Sequence, residues 1–165
     1  MLSILKSKHK TVRIARIAIF TSLAVIGSFI KIPSPTGTVA LDSLPGYFSI
    51  LAFGYIEGVV IAALGHIATS MNAGFPLGFL HILIALFMMG ATSLLKLSYD
   101  YLPKGLVIGT IIAATFNGLG GFLFSPFFGL GLAVALTPSL MVASYVNVIL
   151  ASIIFQSIKR RLGNV

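Results

Sequence analysis

Arg13-Ile-Ala-Arg-Ile-Ala-Ile-Phe-Thr-Ser-Leu-Ala-Val-Ile-Gly-Ser-Phe-Ile30 is an apolar run entered through basic residues and closed by Lys31-Ile-Pro-Ser-Pro. Lys6, Lys8 and Lys10 precede it, as cations precede the apolar core of a secretory leader. Ile14 to Ile30 is seventeen residues, longer than the ~7–15 of such a core. The rest of the chain is equally apolar and could not be released as a soluble product. The run is therefore a retained first helix, and the chain is an all-α integral membrane protein.

Composition agrees. Of 165 residues, 8% are charged, against roughly 25% in soluble domains. Hydrophobic residues make up 58%, and the mean hydropathy is +1.08. Fourteen charges cannot clothe a soluble surface of this size. A soluble enzyme, a disordered chain and a coiled coil are excluded. The absence of cysteine removes disulfides, a thiolate nucleophile and Cys-based metal sites. No internal repeat or second domain is visible. Residues 1–165 read as one transmembrane domain, with 1–12 as a basic cytoplasmic segment.

Glycine, proline and charge divide the chain into six spans. They lie near 13–30, 43–53, 57–71, 77–97, 105–124 and 133–158, with Asp42 or Ser43 as the N-cap of the second. The second and third are short for a bilayer needing ~20 residues. Short, broken spans are tolerated where they line a cavity, which points to a site near loop 31–43. Of eleven cations, eight cluster at the ends, counting Arg16. The positive-inside rule puts both termini in the cytoplasm, an even number of crossings. Connection 98–104, beside Lys96 and Lys104, falls inside too. Loops 31–43, 72–76 and 125–132 fall outside, with Lys31 their only cation. Terminal basic clusters on such a chain mark membrane flanks, so nucleic acid is not an expected partner.

Polar groups inside spans face cavities or partners, because lipid offers them no hydrogen bonds. From ~1.5 Å of rise per residue, His66, His81, Asn117, Tyr145 and Asn147 all fall in the outer half or at the midplane. Together they outline a pocket open to the outside. Each has a plain alternative as an interhelical bridge worth ~0.6 kcal/mol. Glu57 reads as a charge at the N-terminus of the third helix. Two histidines without a third ligand make no metal site. Phe75, Phe122 and Phe124 are placed to stack on a flat ring, with core or interfacial packing as the alternative. On helix 1, Ala15, Ala18 and Ser22 form a small-residue stripe that Ala24 and Ser28 continue. It suits close packing on this chain's own helices or on another membrane subunit. There is no G-x-x-x-x-G-K-[ST] loop for ATP, no hydrolase motif and no pair of intramembrane carboxylates.

Gly27-Ser-Phe-Ile-Lys-Ile-Pro-Ser-Pro-Thr-Gly-Thr-Val-Ala-Leu-Asp-Ser-Leu-Pro-Gly-Tyr-Phe48, with Glu57-Gly58, Gly65-His66 and Ala73-Gly-Phe-Pro-Leu-Gly78, resembles the substrate-binding subunits (S components) of energy-coupling factor (ECF) transporters. Within them it is most similar to those assigned to α-ribazole, the nucleoside precursor of the cobalamin lower ligand. The likeness covers nearly the whole chain. It implies a six-helix S-component bundle with substrate held by the loops after helices 1, 3 and 5. It also implies a prokaryotic plasma membrane and a complex with a T subunit and two ATPases, which explains the missing ATP loop. The family docks through Ala-xxx-Ala on helix 1; here the nearest match is Ala18-xxx-Ser22, with Ala15 one turn before.

On that basis the chain is expected to be no enzyme and to need no cofactor or metal. Its candidate substrate residues are Lys31, Asp42, His66, Asn72, Phe75, His81, Asn117, Tyr145 and Asn147. Riboflavin, thiamine and queuosine are the alternative ligands. A stand-alone channel or facilitator, or a membrane scaffold, is the alternative class.

Overall fold

The computed structural model describes residues 9–163, so the first eight residues of the expected basic segment lie outside the described part. The helices are α1 (Lys10–Gly27), α2 (Leu44–Ala52), α3 (Tyr55–Asn72), α4 (Leu80–Tyr101), α5 (Gly105–Gly118), α6 (Gly120–Phe128) and α7 (Leu130–Gly163). Leu119 alone separates α5 from α6, and Gly105–Phe128 forms one apolar span. Counted so, six helical segments remain, as the sequence leads one to expect. Leu80–Tyr101, Gly105–Phe128 and Leu130–Leu162 are each long and apolar enough to cross a membrane.

α2 is the hub. Nine residues give it ~14 Å, too short to cross. It packs against α1, α3, α4 and α7. Every residue from Pro45 to Ala52 is buried, because a helix apolar on all sides is stable only inside a bundle. Tyr47, Ile50 and Leu51 form the core with Leu95 of α4, Ala113 and Ala114 of α5, and Val148 and Phe155 of α7. Gly46 and Gly58 permit the α2–α3 contact, since a Cβ on either would fall within 3 Å of Ala62 or Ile50.

The basic end of the bundle is laced by its charges. Arg13 Nε lies 3.2 Å from Glu57 Oε1, joining α1 to the first turn of α3. Glu57 thus meets the helix N-terminus, as expected, and has an arginine partner besides. Arg16 sits 4.6 Å from the Phe53 ring centre, Lys96 pairs with Asp100, and Lys159 donates to the Tyr99 hydroxyl at 2.9 Å.

The opposite end departs from expectation twice. Loop 31–43 is a hairpin, pinned where Lys31 pairs with Ala40 and where the Ile32 N–H donates to the Val39 carbonyl at 3.0 Å. Gly37, at φ 64°, makes its turn. Its prolines bar a helix but not this geometry. The second departure is at Ser125-Pro126, where the sequence reads as the start of a loop. Instead α6 runs through Pro126 to Phe128. Proline cannot donate to the Phe122 carbonyl four residues back, and the Ser125 hydroxyl does so at 2.8 Å. Gly129, at φ 89°, makes the break instead.

Candidate functional site

At this end, remote from the basic residues, α3, α4, α5–α6, α7 and the hairpin surround a cavity of about 730 Å³, its open mouth included. One wall is aromatic. Phe87 of α4 stacks on Phe116 at 4.6 Å and meets Phe124 edge-on at 5.7 Å; Phe87, Phe124 and Phe128 line the space. Gly120 makes this possible, because a Cβ there would lie 2.5 Å from the Phe87 ring.

The lining also carries polar groups. His66 Nε2 and His81 Nδ1 are 3.2 Å apart, and the Phe75 ring packs edge-on against His81 at 5.8 Å. Asn117 Nδ2 donates to the Ser144 hydroxyl at 2.8 Å, which leaves its carbonyl oxygen uncommitted. Asp42 is buried at the base of the hairpin and accepts from the Thr69 hydroxyl at 2.5 Å. Burial pushes its carboxyl up to about 6, although that hydrogen bond opposes the shift. Asp42 is the only charged side chain among the lining residues. The cavity therefore suits a neutral or cationic molecule with hydroxyl or N–H donors, and repels an anion.

Of the candidate residues, Asp42, His66, His81, Asn117 and Asn147 come together on the lining. Asn147 has a structural duty as well. Its oxygen accepts from the Leu44 N–H at 2.8 Å, and its amide donates to the carbonyls of Ala40 and Ala143. It thereby caps α2 from across the bundle, where Ser43 stands as N-cap without a side-chain bond.

The other candidates lie off the lining. Asn72 turns to α1 and donates to the Ser28 hydroxyl at 2.5 Å. Tyr145 bonds the Thr115 hydroxyl at 2.8 Å and lines a separate groove between α5 and α7. Two residues from Asn147, it faces roughly 200° away. Lys31 is exposed at the hairpin base. Phe75 reaches the site only through His81, from a left-handed backbone at φ 50°. Phe122 is not on the lining, whereas Phe124 is.

Sequence reasoning missed Thr36, Thr38, Phe87, Phe128 and Ser144, all on the lining. One of these carried a signal: Ser144 lies three residues before Asn147 on the same helix face. On α1 the small residues divide. Ala24 and Ser28 are buried, while Ala15, Ala18 and Ser22 are exposed.

No curated protein sequence matches the chain. A solved chain described as the S component of a bacterial ECF transporter aligns in three dimensions with a TM-score of 0.64 at 22% identity, over 94% of this chain and 98% of that one. That likeness is one of fold. Residues 12–159 match the family model described as the substrate-specific component of ECF transporters, and this chain belongs to that family.

Proposed function

We propose that the chain captures α-ribazole at the outer face of a prokaryotic plasma membrane and delivers it through a T subunit driven by two ATPases. The observation that carries this reading is a lining that combines three phenylalanines with neutral hydrogen-bonding groups, a single carboxylate and no cation. α-Ribazole joins a flat apolar benzimidazole to a neutral ribose. Its ring suits the surface that Phe87, Phe124 and Phe128 present to the cavity, and its hydroxyls suit Asp42, the Asn117 oxygen and Ser144. Lys31, Asn72, Phe75 and Tyr145 act around the site rather than on its lining. The exposed stripe of Ala15, Ala18 and Ser22 on α1 is the docking face for the T subunit.

Thiamine is the second reading, because a cationic ring would pair with Asp42. Calorimetry on purified protein with α-ribazole, free dimethylbenzimidazole, riboflavin and thiamine decides between them. Tight binding of α-ribazole alone is expected; tighter binding of another compound replaces the ligand. Co-expression with a T subunit and the ATPase pair tests the class. A tagged chain that never brings them down would leave a channel or a scaffold as the better account.

A further inference from the structure

His66 and His81 touch inside the cavity, and their hydrogen bonds fix which nitrogen of each ring carries its proton. The Leu77 amide N–H reaches His81 Nε2 at 3.3 Å. An amide N–H can only donate, so this nitrogen is bare and the neutral His81 ring is protonated on Nδ1. That Nδ1–H lies 3.2 Å from His66 Nε2, which must then accept. The His66 proton is thereby placed on Nδ1. The Ser70 hydroxyl, 3.5 Å from His66 Nε2, donates to the His66 carbonyl at 2.8 Å. It could accept from an Nε2–H, but that proton would collide with the His81 Nδ1–H pinned by Leu77. A second proton on either ring would set donor against donor at one of these two joints, so the geometry favours a neutral pair. His81 is fully buried and wedged by Phe75, which holds the relay in one orientation. His66 lines the cavity, and the ring's polar contacts among the described residues, to His81 and Ser70, fall on Nε2 and leave Nδ1 to the cavity.

We propose that His66 Nδ1–H is a directed hydrogen-bond donor to the ligand and that His81 is the positioning residue that sets its tautomer. The ligand then carries an sp² nitrogen or a carbonyl oxygen facing His66, while Asp42, on another part of the lining, asks for a donor. This rests on the reading of the cavity as the ligand site, and a benzimidazole riboside meets it with its unsubstituted ring nitrogen. The two opposite demands give the site a polarity that shape alone would not.

The ligand-free arm is long-range ¹H–¹⁵N NMR of the full chain, histidine-labelled and held in lipid nanodiscs at neutral pH. Protons on Nδ1 of both His66 and His81 are expected; Nε2–H or imidazolium at His66 overturns the proposal. In His81→Phe the relay is cut, and His66 is expected to shift toward Nε2–H. An unchanged Nδ1–H there overturns the positioning role. The ligand arm compares α-ribazole with 5,6-dimethylindole riboside, in which C–H replaces the ring nitrogen. About ten-fold or more weaker binding of the indole is expected, with the difference lost in His66→Phe. Equal affinities overturn the donor's role in recognition. If neither riboside binds, the α-ribazole assignment falls, and riboflavin, whose ring carbonyls are acceptors, takes their place. A loss of about ten-fold or more in His66→Phe then supports the donor, and an unchanged affinity overturns it.

Discussion

Asp42 is a carboxylate kept from water yet aimed at a cavity, and its energetics follow from that. Desolvation raises its pKa from 3.8 to about 6, against the Thr69 hydroxyl, nearby backbone N–H groups and the charge of Lys31. Between those two values the folded chain binds more protons than the unfolded one. Stability from this group is therefore greatest below about pH 4 and is lost as pH rises to about 6. At 1.36 kcal/mol per pH unit, the ionised form costs the empty protein about 3 kcal/mol at neutral pH. The expected outcome is that Asp42→Asn raises the melting temperature at pH 7 while removing most of this gain on acidification. It should also weaken binding of a hydroxyl-bearing or cationic ligand. Melting curves of both proteins from pH 4.5 to 7.5 check it. Parallel pH profiles would mean that the carboxylate is not buried as described. The sequence marks Asp42 as polar and near the site but leaves it between ligand contact and helix cap. The cap is supplied by Asn147, 103 residues away from Leu44, and no local pattern announces a bond of that span.

α1 has two faces that one spacing rule cannot tell apart. Ala24 lies six residues beyond Ala18, hence roughly 120° round the helix. It packs on Gly65, where an added Cβ would come within 2.9 Å of it. Ala15, Ala18 and Ser22 stay uncovered, and the Ser22 hydroxyl bonds back to the Ala18 carbonyl at 2.9 Å. Ala18→Trp or Ser22→Trp is therefore expected to abolish uptake while leaving the isolated subunit folded and its ligand affinity unchanged within about two-fold. Uptake in cells alongside calorimetry on purified protein checks this. Loss of binding in both mutants would return the stripe to internal packing. Helix existence was legible at every span, because apolar length carries that signal in a membrane protein. Helix ends were less so: α6 passes its proline because a neighbouring serine replaces the missing donor, and only coordinates reveal that repair.

The whole molecule is polarised along the axis of the bundle. Arg13, Arg16, Lys96, Lys104, Lys159, Arg160 and Arg161 lie at the end where α1 and α5 begin and where α4 and α7 finish. Lys31 is the single lysine or arginine among the described residues of the cavity end. The basic clusters at the two termini were enough to make this asymmetry legible in the sequence, since each loop takes a side once the ends are placed. The cavity was less legible, because its lining is assembled from five segments far apart in the chain. The absence of cysteine makes the orientation directly testable, since any introduced thiol is unique. Pro35 is exposed on the hairpin, and Tyr101 is 79% exposed as the last residue of α4, at its basic end. In intact cells, Pro35→Cys is expected to react with a membrane-impermeant maleimide, and Tyr101→Cys only after the membrane is opened. Bound α-ribazole should slow labelling of Pro35→Cys, because Thr36 and Thr38 of the same hairpin line the cavity. The reverse labelling pattern would invert the topology and leave the cavity facing the cytoplasm, where it could not take up an external substrate.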